Sequence, residues 1–91
     1  MAKTAKRFIF IGRVQGVGFR FTAFGIAKRN EITGYVKNTP DGSVEMLTQG
    51  YPQDIEDCLD DIKETFQGSI RKITEDQVEL DNSLTEFKIT F

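Results

Sequence analysis

Residues 33–49 read T-G-Y-V-K-N-T-P-D-G-S-V-E-M-L-T-Q, and this pattern predicts two antiparallel strands joined by a tight turn. The first strand covers residues 33–38, and the second covers residues 43–49, where the side chains alternate. Residues 39–42 between them are Thr-Pro-Asp-Gly, and an Asp-Gly pair is a strong hairpin signal. The remaining elements can be placed outward from this hairpin.

On each side of the hairpin, the sequence predicts one helix and then one strand. Runs of β-branched and aromatic residues indicate the strands, and apolar residues at helical spacing indicate the helices. In the second helix, Ile55, Cys58 and Ile62 lie on one apolar stripe. Asn30 follows the first helix and is predicted to take the left-handed capping conformation. The predicted outer elements are a strand at residues 6–13, a helix at 21–29, a helix at 54–66, a strand at 70–78 and a short last strand at 86–91.

The order of these elements is β-α-β-β-α-β with an added terminal strand, which predicts a ferredoxin-like α/β sandwich of the α+β class. We expect an antiparallel sheet with two helices on one face. In this topology the first two strands of the chain run parallel, with the third strand between them. Their carboxyl ends therefore share one edge of the sheet, about 9–10 Å apart. The loop after the first strand is predicted to meet Asn38 there.

The length and charge of the chain set limits on its organisation. Its 91 residues are enough for one domain, and residues 1–91 are predicted to form it. Residues 1–40 hold eight basic residues and one acidic residue, whereas residues 41–91 hold four basic and thirteen acidic ones. A dipolar surface accounts for most of these charges. The asymmetry also permits an anion site in the first part of the chain.

Histidine is absent from the sequence, and cysteine occurs once, at Cys58. These facts exclude catalysis by a Ser-His-Asp or Cys-His arrangement, and they exclude metal sites built from histidines or several cysteines. A lone cysteine on the apolar stripe of a helix is interpreted as a buried core thiol. No apolar run is long enough to span a membrane, and no signal-peptide pattern follows the basic start. We therefore expect a cytoplasmic protein.

Residues 14–20 read V-Q-G-V-G-F-R and connect the first strand to the first helix. Glycines let successive backbone N–H groups point into one concavity, and the helix adds unpaired N–H groups and the positive end of its dipole. Arg20 stands at the helix start, where its planar fork can bind two phosphate oxygens. The spacing fits neither a Walker loop nor a dinucleotide fingerprint. Taken alone, the loop is equally compatible with a tight turn that binds nothing.

Asn38 ends the second strand, directly ahead of the turn. Asparagine before a turn usually caps its own backbone, and taken alone Asn38 is best assigned to that role. The functional alternative is that its carboxamide holds a water molecule beside a phosphate bound by the loop. The two roles cannot be separated without the neighbouring block of sequence.

Two blocks of sequence resemble the signature of the acylphosphatase family. The first is G-R-V-Q-G-V-G-F-R at residues 12–20, followed by Ala27. The second is G-Y-V-K-N at residues 34–38, followed by D-G-S-V-E at residues 41–45. The pair of blocks at this spacing is specific, and the resemblance is dense over roughly half of the chain. One departure is Asn30, which stands where glycine is common in the family.

The resemblance implies a hydrolase of acyl phosphates that uses no metal and no cofactor. Arg20 corresponds to the arginine that binds phosphate, and Asn38 to the asparagine that positions the attacking water. The implied partner is a small-molecule acyl phosphate, with no nucleic acid and no membrane, and the protein is expected to be a monomer. The identity of the acyl group stays open. The backbone N–H groups implied to bind phosphate are those of Gln15, Gly16, Val17, Gly18 and Phe19.

Two alternatives are kept beside this interpretation. Modules resembling acylphosphatase also occur in larger carbamoyl-transferring proteins, so the first alternative is a non-catalytic accessory domain that binds acyl or carbamoyl phosphate. The second alternative is an RNA-binding module, because RNA-recognition motifs share this order of elements and stack bases on strand aromatics. The strand at residues 43–49 has no aromatic residue, and the chain is acidic overall, which disfavours RNA binding.

Overall fold

A computed structural model of the protein describes residues 2–91 and contains five strands and two helices. The order along the chain confirms the ferredoxin-like α+β fold, with the added strand at the end. Most boundaries lie within two residues of the predicted ones, and two strands have the predicted bounds. The elements are β1 (Thr4–Gly12), α1 (Phe19–Arg29), β2 (Thr33–Asn38), β3 (Val44–Gly50), α2 (Pro52–Thr65), β4 (Ile70–Val78) and β5 (Phe87–Thr90).

The strands form one sheet in the order β4-β1-β3-β2-β5. The first four strands of the chain pair antiparallel, as expected, but β5 pairs parallel with β2 and makes the sheet mixed. Topology explains this difference. Since β4 runs opposite to β2, the end of β4 lies at the same end of the sheet as the start of β2. A chain that crosses directly to the far edge therefore enters beside the start of β2 and runs along it in the same direction.

The core lies between the sheet and the two helices, which pack against the sheet and against each other. Alternation along the strands sends every second side chain into this layer. The rings of Phe10 and Phe19 lie 5.1 Å apart between their centroids, and the rings of Phe19 and Phe66 lie 4.4 Å apart. The strands supply Phe8, Phe10, Val36, Val44, Met46 and Phe87 to the core, and the helices supply Phe19, Ala23, Ile26, Ala27, Ile55, Cys58 and Ile62.

Helix α1 starts two residues earlier than predicted and ends with a different cap. Gly18 precedes the helix in the left-handed conformation, and the N–H of Thr22 donates to its carbonyl oxygen at 3.1 Å. The prediction of a left-handed Asn30 was wrong, because Asn30 has φ −97° and Glu31 takes φ 57° instead. The Asn30 side chain donates from Nδ2 to the carbonyl oxygen of Ile26 at 2.9 Å. The backbone N–H groups of Glu31 and of the next residue donate to the carbonyls of Lys28 and Ala27, a Schellman pattern that places the left-handed conformation at Glu31.

Cys58 is buried on α2, as the stripe predicted. Burial raises the pKa of its thiol to about 12, and the nearby carboxylate of Asp61 adds to the shift. A thiol with such a pKa is almost entirely protonated at neutral pH and is a poor nucleophile. Among residues 2–91, no helix has the length and apolarity required to cross a membrane.

Candidate active site

The loop between β1 and α1 is anchored at both ends and open in the middle. Val14 and Phe19 are buried in the core, whereas Gly16, Val17 and Gly18 are exposed. Gly16 has φ 75° and Gly18 has φ 77°, which are left-handed conformations that favour glycine. Among residues 2–91, none of the backbone N–H groups of residues 15–20 donates a hydrogen bond to another protein group. The loop therefore presents several unpaired donors beside the positive end of the α1 dipole.

Arg20 is the second residue of α1, and its guanidinium is held by the last strand. Its Nη1 donates to the carbonyl oxygen of Thr90 at 3.0 Å. The guanidinium carbon lies 4.8 Å from the centroid of the Phe91 ring, in a cation–π contact. The ion pairs found in the described part of the chain do not involve Arg20. Its charge is therefore positioned by a carbonyl and a ring, without a carboxylate that would compete with an anion.

Asn38 is the last residue of β2 and lies on the same rung of the sheet as the end of β1. It pairs with Val44 on β3, which in turn pairs with Phe10 on β1. Its Oδ1 is buried and has no hydrogen-bond partner within residues 2–91. A buried acceptor without a partner costs about 1–3 kcal/mol of stability. The capping role that Asn38 would have in an ordinary turn is therefore not the one this geometry displays.

One cavity of about 350 Å³ brings the loop, Arg20 and Asn38 together. Of the residues implied by the resemblance, Gln15 and Val17 do not line it. Its only charged side chain is that of Arg20, and its only other polar side chain is that of Asn38. The lining residues are Val14, Gly16, Gly18, Phe19, Arg20, Phe21, Asn38, Ile89 and Phe91.

The Gln15 side chain joins the two halves of the site, which the sequence did not indicate. Its Nε2 donates to the carbonyl oxygens of Thr39 and Ser43, both at 2.8 Å. These carbonyls belong to the β2–β3 turn that begins directly after Asn38. Gln15 thus fixes the distance between the loop and the end of β2. Only a tertiary structure can reveal this bond, because the partners are 24 and 28 residues away along the chain.

Three of the hydrogen bonds that hold the β2–β3 turn are accepted by one carboxylate. Oδ1 of Asp41 accepts hydrogen bonds from Oγ1 of Thr39 and Oγ of Ser43, both at 2.6 Å, and from the N–H of Ser43 at 3.0 Å. The bonds from Ser43 and then Thr39 lower the pKa of Asp41 to about 2. The ionised carboxylate therefore orders the turn that carries the acceptors of Gln15.

The arrangement suits a tetrahedral dianion. Unpaired N–H groups, one guanidinium and a helix dipole supply donors and positive charge, and a carboxamide stands beside them. Within residues 2–91, no three His, Cys, Asp or Glu side chains are grouped so that they could hold a metal ion. The sequence also did not predict that Phe21, Thr90 and Phe91 would meet the loop, since the last strand was assigned only to closing the sheet.

Comparison with known proteins agrees with this geometry. The model of the acylphosphatase family matches residues 6–89. An acylphosphatase from Methanospirillum hungatei strain JF-1 is 44% identical over 63 residues, which cover 69% of this chain and 69% of the relative.

Solved structures give the same result over almost the whole chain. The acylphosphatase from Bacillus subtilis superposes with a TM-score of 0.88 and 30% identity, covering 99% of this chain and 100% of that one. Full-length HypF in its phosphate- and nucleotide-bound form gives a TM-score of 0.88 and 30% identity, but the match covers only 12% of that chain. This fold therefore occurs both as a short chain and as a small part of a longer one.

Replacing Gln15 by Glu keeps the shape of the side chain and removes both donated hydrogen bonds. We expect the free energy of unfolding to fall by about 1–3 kcal/mol, since each such bond contributes about 0.5–1.5 kcal/mol. We also expect weaker binding of inorganic phosphate, because the loop loses its fixed position. Chemical denaturation and calorimetric titration measure the two effects. Gln53→Glu is the control, since Gln53 is exposed and bonds only within α2, and equal losses in both variants would contradict the prediction.

The lowered pKa of Asp41 predicts that the β2–β3 turn is destabilised at low pH. Because its pKa is lowered in the folded state, its contribution to stability is complete above the unfolded pKa of about 3.8 and is lost as the pH falls towards 2. We expect the difference in Tm between pH 6 and pH 2 to be smaller for Asp41→Asn than for the unmodified protein. Asp60→Asn is the control, since Asp60 is exposed and forms no hydrogen bond or ion pair within residues 2–91. An unchanged difference for Asp41→Asn would show that this carboxylate does not order the turn.

Proposed function

Since the chain belongs to the acylphosphatase family and hydrolyses acyl phosphates, we propose that Arg20 and the β1–α1 loop bind the phosphoryl group while Asn38 directs the attacking water. The observation that carries this proposal is the meeting of Arg20, Asn38 and the unpaired loop amides on one cavity. No other cation lines this cavity, so the phosphoryl end of the substrate has a single place to bind.

In this proposal, the phosphoryl group is bound by the guanidinium of Arg20 and by the backbone N–H groups of the loop. The Arg20 fork donates two N–H bonds to two phosphoryl oxygens, and the amides of Gln15, Gly16, Val17, Gly18 and Phe19 donate to the remaining lone pairs of the three non-bridging oxygens. The amides of Gly16, Gly18 and Phe19 belong to residues that line the cavity, whereas Gln15 and Val17 do not line it. Because the carbonyl of Thr90 and the ring of Phe91 already hold the guanidinium, little side-chain freedom is lost on binding.

Asn38 then places the nucleophile. A carboxamide carries an acceptor and a donor, and rotation about its last torsion exchanges their positions. In the described part of the chain, Oδ1 of Asn38 is buried and has no hydrogen-bond partner, so a carboxamide rotated towards the cavity can accept from a water and aim the lone pair of that water at phosphorus. Holding the water in line converts a bimolecular encounter into a reaction of aligned groups, which is a large source of rate enhancement.

The chemical step needs no proton donor for the leaving group. The water oxygen bonds to phosphorus, the bond from phosphorus to the acyl oxygen breaks, and the electron pair leaves with a carboxylate. One water proton remains on the new phosphate oxygen and the other passes to an oxygen of the same phosphoryl group, so that RCO–OPO₃²⁻ and water give RCOO⁻ and H₂PO₄⁻. A weakly basic carboxylate leaves readily, which is why a site without histidine suffices. Arg20 and the amides stabilise the charge in the transition state.

The proposal also covers the domain organisation, cofactor requirement, oligomeric state and location of the protein. It assigns residues 1–91 to one acylphosphatase domain that acts without metal or cofactor, as a monomer in the cytoplasm. Its partner is a small-molecule acyl phosphate, and neither nucleic acid nor a membrane takes part. Hydrolysis of benzoyl phosphate in the presence of EDTA tests metal independence. Titration with RNA at two salt concentrations tests the remaining alternative, since electrostatic binding to nucleic acid weakens steeply with salt.

A second candidate function is an accessory domain that binds acyl or carbamoyl phosphate without turning it over. The match to full-length HypF supports it, because there the fold covers only 12% of a longer chain. Catalytic turnover distinguishes the two candidate functions. A catalytic domain releases inorganic phosphate continuously from excess benzoyl phosphate, whereas an accessory domain binds phosphate but releases no product above the uncatalysed rate.

Arg20→Lys tests the bidentate contact. We expect it to weaken inhibition by inorganic phosphate and to lower kcat/KM by about 10²-fold or more, because an ammonium is a point charge that cannot match two oxygens at once. Arg20→Ala should lower kcat/KM by a larger factor. The measurement is steady-state hydrolysis of benzoyl phosphate, with Arg29→Lys as the control on the far end of α1. If Arg20→Lys retains full activity, the fork does not bind the phosphoryl group.

Asn38→Ala separates positioning of water from binding of phosphate. We expect kcat to fall by about 10²–10³, the usual effect of one preorganised polar group, while the inhibition constant for phosphate stays near that of the unmodified protein. Since the variant also removes a buried acceptor without a partner, its Tm should not fall. Full turnover by Asn38→Ala would exclude the assigned role, and a lower Tm would instead indicate a structural role for the side chain.

A further inference from the structure

Exposed apolar side chains are concentrated around the cavity. Residues 2–91 include five exposed large hydrophobic residues, and three of them surround the β1–α1 loop. Phe21 is 76% exposed, Phe91 is 98% exposed and Val17 is 53% exposed. The other two, Tyr51 and Leu80, lie elsewhere. Large apolar groups held in water at one place indicate a surface that binds a ligand.

Two of these exposed groups, Phe21 and Phe91, line the cavity together with the half-buried Ile89, and we call Phe21, Ile89 and Phe91 the apolar rim. Phe21 stands next to Arg20 on α1, and Ile89 and Phe91 flank the Thr90 carbonyl that holds the guanidinium. The Phe91 ring lies 4.8 Å from the guanidinium carbon. A group attached to a phosphoryl oxygen on Arg20 therefore lies against these side chains.

The lining of the cavity favours an apolar acyl group. Arg20 is its only charged side chain, and the proposed phosphoryl site uses it fully. A carboxylate or second phosphate on the acyl part would gain no free energy from contact with these apolar side chains. An amide or a methyl group would leave most of the apolar rim in water. An aromatic or alicyclic acyl group would cover it and gain free energy in proportion to the apolar area buried.

We propose that the apolar rim binds the acyl group, so that the preferred substrates are phosphates of bulky apolar carboxylic acids, aromatic or alicyclic, rather than of small or anionic ones. This inference rests on the proposed function, since it places the phosphoryl group on Arg20. It assigns specificity to contacts that are equally present in the ground state and the transition state. Such contacts act mainly on KM.

The substrate test compares cyclohexanecarbonyl phosphate, acetyl phosphate and succinyl phosphate. The first two release carboxylates of similar basicity, so a difference between them reports binding of the acyl group. We expect kcat/KM for the cyclohexanecarbonyl substrate to exceed that for acetyl phosphate by about tenfold, equivalent to about 1.4 kcal/mol of contact, and succinyl phosphate to show no such gain. Equal hydrolysis of all three would overturn this inference alone, whereas hydrolysis of none would overturn the proposed function.

Phe21→Ala tests the rim directly. We expect the preference for the cyclohexanecarbonyl substrate over acetyl phosphate to fall about fivefold to tenfold, through KM, while competitive inhibition by inorganic phosphate is retained. Leu80→Ala is the matched control, because Leu80 is also an exposed apolar residue but lies away from the cavity, and it should keep the preference. If Phe21→Ala keeps the preference, or loses activity equally on both substrates, the rim does not select the acyl group.

Discussion

The position of β3 between β1 and β2 determines the site. Because both outer partners pair antiparallel with β3, they run parallel to each other, and their carboxyl ends meet at one edge of the sheet. Asn38 then lies on one rung with Val44 and Phe10, only a few residues from the loop that follows β1. Gln15 completes this geometry by tying the loop to the turn. Neither half of the site could hold its position without the strand between them.

The site contains few charged side chains. Arg20 is the only charged side chain that lines the cavity, and the many acidic residues of α2 and β4 take no part in it. Backbone N–H groups and a helix dipole supply the remaining positive potential, and they need no counter-ion. In the proposed mechanism a dianion meets donors fixed by the fold, and its leaving group departs as an already stable anion. The chemistry requires accurate placement more than acids or bases.

The sequence predicted the parts of the fold that depend on local pattern. The Asp-Gly turn and the alternation around it predicted β2 with its observed bounds, and the blocks of the family signature indicated Arg20 and Asn38. It did not predict what depends on distant contacts. Side-chain periodicity cannot say which edge a last strand joins, so the parallel β5 was missed. The left-handed residue after α1 is Glu31 and not Asn30, because the backbone bonds that end the helix form a Schellman pattern around Glu31.

The bond from Arg20 to Thr90 couples the cavity to the edge of the sheet. Thr90 belongs to β5, a four-residue strand that pairs only with β2, and short edge strands open at a lower free-energy cost than the whole domain. Each local opening of β5 breaks the hydrogen bond between the Arg20 guanidinium and the Thr90 carbonyl. On warming, the fraction of molecules with an ordered guanidinium therefore declines before the core melts. The stability of this edge strand therefore limits the temperature up to which the proposed phosphate site stays assembled.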